Sequence, residues 1–371
     1  MLRARQLGLG LALLLLSVAA KADLNVGVVL SLSGPAASVG RAQAAVIDAL
    51  PEQIGGHTVR YVLRDDASQP AGAARQAVAL VEQVKVDLVI GTSTVAASRA
   101  MLAELAPRGV ALISTAAIDL QGAGSDARWG FRTLPDRTLL AAGLAAHMRG
   151  HGLHRVAFIG LAGGFGERWW ADFGTLAQVR GLTLVDDQRF GADDTDLSAW
   201  AGRIHALAPD AVMVAAAGSA ALVPVHALRA AGFEGPIYQT HAVALEAFVH
   251  ACASDCERVR IAATPARLSP GPSAGPGAAA FHARLGDRGA PFVAALWDAG
   301  QLAARALASA GAVAEPGSTA YRQAVRDGLE AVRGLEGGNG VYDLSPGDHL
   351  GLDQRSVVIV RRQRDAWVRA D

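Results

Sequence analysis

The chain has 371 residues, 51% of them hydrophobic, with 34 basic and 34 acidic side chains and no net formal charge. That balance excludes the basic footprint of a nucleic-acid-binding protein, and the length points to two domains rather than one. With only two cysteines, Cys252 and Cys256, the chain has neither a disulfide scaffold nor a Cys-based zinc site.

The first residues read as a leader rather than as fold. MLRARQ carries Arg3 and Arg5, LGLGLALLLLSVAA is an apolar run from Leu7 to Ala20, and Ala20-Lys21-Ala22 supplies an A-x-A cleavage pattern. These are the three parts of a secretory signal peptide. The run falls short of the roughly 20 apolar residues that span a bilayer, and no Cys follows it to take a lipid. Residues 1–22 are expected to be removed, leaving an exported, soluble chain that begins near Asp23. In an oxidising compartment, Cys252 and Cys256 of CASDC are expected to pair and pin a surface loop. Their spacing is not that of the C-x-x-C redox motif.

Strands and helices then alternate. LNVGVVL (24–30) is strand-like, 40–50 helix-like, HTVRYVLRD (57–65) an alternating strand, and PAGAARQAVALVEQV (70–84) an amphipathic helix with Pro at its start, where the missing N–H costs nothing. VDLVIG (86–91), a helix to Ala106 and VALIS (110–114) follow. This βαβαβ order predicts a parallel sheet covered on both faces. After FRTLPDR (131–137) the alternation restarts, with strands at 154–160, 182–190, 210–217 and 236–240 and helices between them. LSPGPSAGPG (268–277) reads as a loop. Helices at 278–286, 292–311 and 318–332 come next, then a loop at 334–343 and strands in RSVVIVRRQ and AWVRA. Helices without partner strands must cover something already built, so the chain is expected to return to the first lobe and then cross back. The expected fold is α/β, two doubly wound parallel-sheet lobes: 23–134 plus 266–338, and 135–265 plus 339–371.

In open parallel sheets, ligands sit beyond the carboxyl ends of the strands, where helix N-termini offer free N–H groups suited to a carboxylate. Six such junctions here are rich in Gly, Ser, Thr and Ala: SLSGPAASVG (31–40), GTSTVAAS (91–98), STAAIDL (114–120), GLAGGFGE (160–167), AAAGSAA (215–221) and QTHAVAL (239–245). Small residues let a ligand approach the backbone closely. A lone Ser or Thr before a helix is usually only a cap; six junctions at one topological level say more.

The chain resembles the periplasmic solute-binding proteins of the branched-chain amino-acid type, components of ABC importers. The motifs that carry the resemblance are SLSGPAASVG, RDDASQPAGAARQAVALVEQ, LVIGTSTVAAS, ALISTAAI, FRTLPDR, GGFGE, WDAGQLAARALASAG and LEGGNGVYDLSPGD, in order along essentially all of 24–371. The resemblance implies a type I periplasmic binding fold with three crossings between its lobes. It also implies a small-molecule ligand, an inner-membrane ABC permease as partner, a monomer, and neither cofactor nor catalysis. It places Ser93 and Thr94 at a ligand carboxylate, Ala116, Ala117 and Ile118 beside it, and Phe165, Gly218 and Ser219 on the second lobe. His241 stands where an acidic residue usually pairs with the ammonium of an amino acid, and Trp297 where the family has an aromatic near the hinge.

Two departures matter. Ile118 stands in place of a hydroxyl, and His241 in place of the acid. A buried ammonium needs a carboxylate or several acceptors; a neutral His accepts one hydrogen bond and a protonated one repels. The expected ligand therefore lacks an α-ammonium: a small carboxylate, a hydroxy or aromatic acid, or a neutral amide, unless Glu246 reaches the site. A ligand sensor for a membrane receptor is the alternative function, and a secreted α/β enzyme a weaker one. His147, His151 and His154 cross a helix end and a turn, without an acidic or Cys fourth ligand, and are expected on the surface rather than on a metal. No G-x-S-x-G elbow is present, and the glycines of GLAGGFG do not fit a dinucleotide fingerprint.

Overall fold

A computed structural model describes residues 24–244, 246–286, 291–364 and 366–370, with the backbone alone for residues 121, 246, 247 and 291. The leader at 1–22 and the side chain of Glu246 lie outside the described residues.

The first sheet is built from β1 (Leu24–Leu30), β2 (Gln53–Ile54), β3 (His57–Asp65), β4 (Leu88–Gly91), β5 (Ala111–Ser114) and β6 (Gly130–Arg132), in the order β2-β3-β1-β4-β5-β6. All neighbours are parallel except β2 and β3. Its central strands are buried along their whole length, which is why they read as unbroken apolar runs rather than alternating ones. Helices α1 (Ala37–Ala44), α2 (Pro70–Ala79) and α3 (Val95–Leu105) follow β1, β3 and β4. Helix α1 is shorter than the expected 40–50 stretch, which ends in a separate turn at Ile47–Ala49.

Helix α4 (Arg137–Gly150) opens the second unit. Strands β7 (Arg155–Leu161), β8 (Thr183–Phe190), β9 (Ala211–Ala215), β10 (Ile237–Gln239) and β11 (Val259–Ala263) alternate with α5 (Gly164–Val179), α6 (Ser198–Leu207), α7 (Leu222–Ala230) and α8 (Glu246–Cys252). Ala157 and Ile159 of β7 pack in one apolar layer and Val156 and Phe158 in the other, so this sheet is covered on both faces. Cys252 and Cys256 are bonded at the end of α8, with their Cα atoms 5.4 Å apart.

Helices α9 (Pro276–Leu285), α10 (Pro291–Ala310) and α11 (Thr319–Glu330) follow, then the short pair β12 (Leu335–Glu336) and β13 (Val341–Tyr342). Leu296, Leu302, Val325 and Leu329 return to the core of the first sheet. Strands β14 (Val358–Gln363) and β15 (Ala366–Arg369) complete the second sheet, in the order β15-β14-β11-β10-β9-β7-β8. Both join antiparallel, so the second sheet is mixed rather than wholly parallel.

The chain thus passes between the sheets three times: after β6, after β11 and between β13 and β14. The last passage falls later than position 339. Tyr342, Leu344, Leu350 and Leu352 pack in the first core, whereas Leu268, Ala274 and Ala278 pack in the second. Hydrogen bonds explain the later passage. The Asp298 carboxyl on α10 accepts the N–H groups of Gly338 (2.6 Å) and Asn339 (2.9 Å) and lies 2.8 Å from the Tyr342 hydroxyl, which ties the segment to the first lobe. The same cluster reaches the first two passages, since Tyr342 Oη is 2.8 Å from the Thr133 carbonyl oxygen and Thr264 Oγ1 donates to Asn339 Oδ1 at 2.7 Å.

Candidate ligand cleft between the lobes

The hydroxyl loop after β4 is set by Gly91. Its φ is +133°, and a Cβ there would lie 2.0 Å from the Val29 carbonyl oxygen, so only glycine lets β4 end against β1 in this way. The three hydroxyls that follow have separate duties. Thr92 accepts from the Thr94 N–H at 3.2 Å, and its own carbonyl takes the Thr115 hydroxyl at 2.9 Å, joining the loops after β4 and β5. Ser93 Oγ donates to Gln43 Oε1 at 2.8 Å and accepts from the Ser31 N–H at 3.2 Å, fastening the loop to β1 and α1. Thr94 is the N-cap of α3, accepting from the Ala97 N–H at 3.3 Å, which leaves the earlier N–H groups of the helix without intrahelical partners.

An inner chamber of about 190 Å³ lies in front of this loop. Ser93, Val95, Ala116 and Ala117 wall it from the first lobe, and His241 and Ala263 from the second, with Leu134 and Thr264 from the passages between them. Leu140 and Phe292 complete an otherwise apolar lining; no Asp or Glu is among the described residues of this wall. An outer chamber of about 530 Å³ shares Ala117, Pro135 and His241 with it. Its further lining includes Phe165 and Trp169 and the guanidinium groups of Arg132, Arg137 and Arg168, with Asp119, Asp136 and Asp348 as its acids.

His241 stands where the chambers meet. It is held by Thr240, whose hydroxyl donates to the Ala216 carbonyl at 3.2 Å and caps the short turn His241–Val243. Its ring lies 6.2 Å from that of Trp169. Nδ1 is buried and has no hydrogen-bond partner among the described residues. Burial drives its pKa down to about 4, so at neutral pH the ring is uncharged, with one donor and one acceptor nitrogen.

The other sequence-derived candidates fall differently. Thr94 lines neither chamber. Ile118 is fully buried in the first core, so it fills volume there while Ala116 and Ala117 face the cleft. Gly218 and Ser219 form an exposed turn away from both chambers. Trp297 packs on the first core, because its position on α10 points it at the sheet. His147 bonds to Tyr238 and to the Ala370 carbonyl, and His154 contacts Arg149; no cluster able to hold a metal occurs among the described residues. Sequence reasoning did not single out Leu140, Phe292, Thr264 or the three arginines. Arg132 and Arg137 sit in the FRTLPDR motif and Arg168 directly after GGFGE, but a charged side chain at a helix start carries no sign of which wall it will face.

Two lobes enclosing a cleft at the strand ends define a bilobal solute-binding protein. The chain matches the periplasmic binding protein family over residues 23–363 and belongs to it. Among solved structures it is similar to an extracellular ligand-binding receptor from Rhodopseudomonas palustris HaA2, at 31% identity and a TM-score of 0.76 over 94% of this chain and 100% of that one. A protein from Rhodopseudomonas palustris strain CGA009 is 26% identical, with a TM-score of 0.77 over 94% and 100%. An ABC transporter solute-binding protein from R. palustris in complex with benzoate shares the fold at 21% identity, with a TM-score of 0.70 over 94% and 95%. No curated protein matches the chain.

Proposed function

We propose that the protein is the solute-capturing component of an ABC importer and that its solute is a compact organic acid without an α-ammonium group. The observation that carries this reading is the inner chamber: apolar walls, one hydroxyl loop at a helix N-terminus, a neutral histidine, and no described carboxylate. An anion is favoured by the free N–H groups and partial positive charge at the start of α3. An ammonium buried against Val95, Leu134, Leu140 and Phe292 has nothing to offset its lost hydration. The backbone of the loop at Ser93 is the first-lobe contact, since the Ser93 hydroxyl proton goes to Gln43, with Ala116 and Ala117 beside it and His241 opposite; Phe165 lies at the outer end. The protein works as a monomer without cofactor or catalysis, is exported by removal of residues 1–22, and delivers its solute to an inner-membrane permease.

A thermal-shift screen of aliphatic and aromatic acids, amides and amino acids on the exported chain tests this. A ligand at about 100 times its dissociation constant adds about 2.7 kcal/mol of stability. Stabilisation by acids and not by amino acids supports the reading; stabilisation confined to amino acids overturns it.

A further inference from the structure

The inner chamber alone, at about 190 Å³, is smaller than the roughly 300–1,000 Å³ usual for ligand pockets. Only with the outer chamber of about 530 Å³ does the cleft reach that range, and the two are continuous through Ala117, Pro135 and His241. Their chemistry differs: the inner one is apolar, whereas the outer one presents three guanidinium groups.

Of the outer chamber's guanidinium groups, that of Arg132 is partly engaged by one of the chamber's acids. Asp136 caps α4 through the Leu139 N–H at 2.7 Å and pairs with Arg132 at 2.9 Å. Asp348 accepts the N–H groups of Leu350 and Gly351 through one oxygen, and Asp119 lies at the rim with Leu120. Arg132 also donates to the Ile118 carbonyl at 2.8 Å, yet its Nε is buried without a partner. Arg137 is anchored by Nε to Asp172 at 2.6 Å and to the Arg168 carbonyl at 3.0 Å, which fixes its fork beside Arg168. The Arg168 guanidinium itself makes no ion pair among the described residues. Arg168 is an exposed residue of the outer chamber's lining, and a planar fork with unused donors there matches a carboxylate geometrically.

Resting on the organic-acid reading above, we infer that the solute is a dicarboxylate: one carboxylate meets the loop at Ser93, the apolar body fills the inner chamber, and the second carboxylate reaches Arg168, with Arg132 and Arg137 around it. Arg168 is then the residue that separates diacids from monoacids.

The test is calorimetric titration of the wild type and of Arg168→Ala with matched pairs, hexanoate against adipate and benzoate against terephthalate, at one ionic strength. At least one diacid binds the wild type about tenfold or more tightly than its monoacid, and Arg168→Ala removes that advantage by weakening the diacid far more than the monoacid. Equal binding of monoacid and diacid to the wild type overturns the inference and leaves the organic-acid reading standing. Equal weakening of both by Arg168→Ala also overturns it, since Arg168 then acts on lobe closure, through Asp348 or Asp119, and not on the ligand. If no acid of either kind binds, the organic-acid reading fails and the inference with it.

Discussion

The Tyr342 hydroxyl stands 2.8 Å from Asp298 Oδ2 and 2.8 Å from the Thr133 carbonyl oxygen. A phenol has one proton to donate. The Tyr342 O–H therefore stands between two acceptors, the Asp298 carboxylate and the Thr133 carbonyl. Burial pushes the Asp298 carboxyl up to about 7 against the bonds from Asn339, Tyr342 and Gly338 that lower it. The cluster therefore joins the passages between the lobes through a carboxyl whose pKa burial raises.

The sign of its pH dependence follows. A folded-state pKa near 7 lies above the ordinary carboxyl value, so the folded chain keeps a proton that the unfolded chain loses. This contribution lowers stability as pH rises from about 4 to about 7 and is level above. Asp298→Asn loses the bond from the Asn339 N–H, about 1 kcal/mol at every pH, and loses the fall. Urea melts of both forms from pH 4.5 to 8 should show the wild type losing stability as pH rises and the variant holding level, so that the variant becomes the more stable of the two; parallel curves contradict the raised pKa.

Ser93 fastens the hydroxyl loop through Gln43 and Ser31. Ser93→Ala leaves Gln43 Oε1, on a fully buried side chain, without its donor, at a cost of about 1–3 kcal/mol. The thermal midpoint should fall by several degrees and organic-acid affinity should weaken. An unchanged midpoint would show that the loop is held elsewhere.

His241 carries the distinction from an amino-acid site. Its pKa near 4 lies below the ordinary histidine value, so its contribution to stability is present above about pH 6.5 and lost as pH falls toward 4. This runs opposite to the Asp298 contribution, so each is read from its own variant. Over about pH 5.5–8 the ring stays neutral, and acid binding should show no step near 6.5. Placing a carboxylate there with His241→Glu should weaken acids about tenfold or more and improve leucine; calorimetry of both ligands reads the reversal.

The bond between Cys252 and Cys256 closes a very short loop. Loop-closure entropy for such a loop amounts to about 2 kcal/mol. Cys252→Ser with Cys256→Ser should lower stability by up to that amount and leave ligand affinity unchanged, because neither residue lines the cleft. A large loss of binding would mean that α8 positions His241.

Strands such as VDLVIG are legible because a buried parallel strand is an apolar run bounded by turn residues. β6 and β11 are not: GFR is three residues beside a motif that reads as a loop, and VRIAA carries an arginine, so pairing with β5 and with β10 and β14 makes them strands. Ser93 is legible as a hydroxyl at a strand end. Ile118 misleads because the turn after β5 directs it inward, and that direction belongs to tertiary packing. Arg168 is illegible alone, since only the closeness of the two lobes around the outer chamber makes an exposed arginine part of a cleft wall.

The central claim is that the cleft seats a carboxylate and has no place for an α-ammonium. Leucine and 4-methylpentanoate share one skeleton and differ by that group. Titrated calorimetrically into the wild-type protein at pH 7, 4-methylpentanoate should bind at least about tenfold more tightly than leucine. Leucine binding as tightly as the acid, or more tightly, contradicts the account.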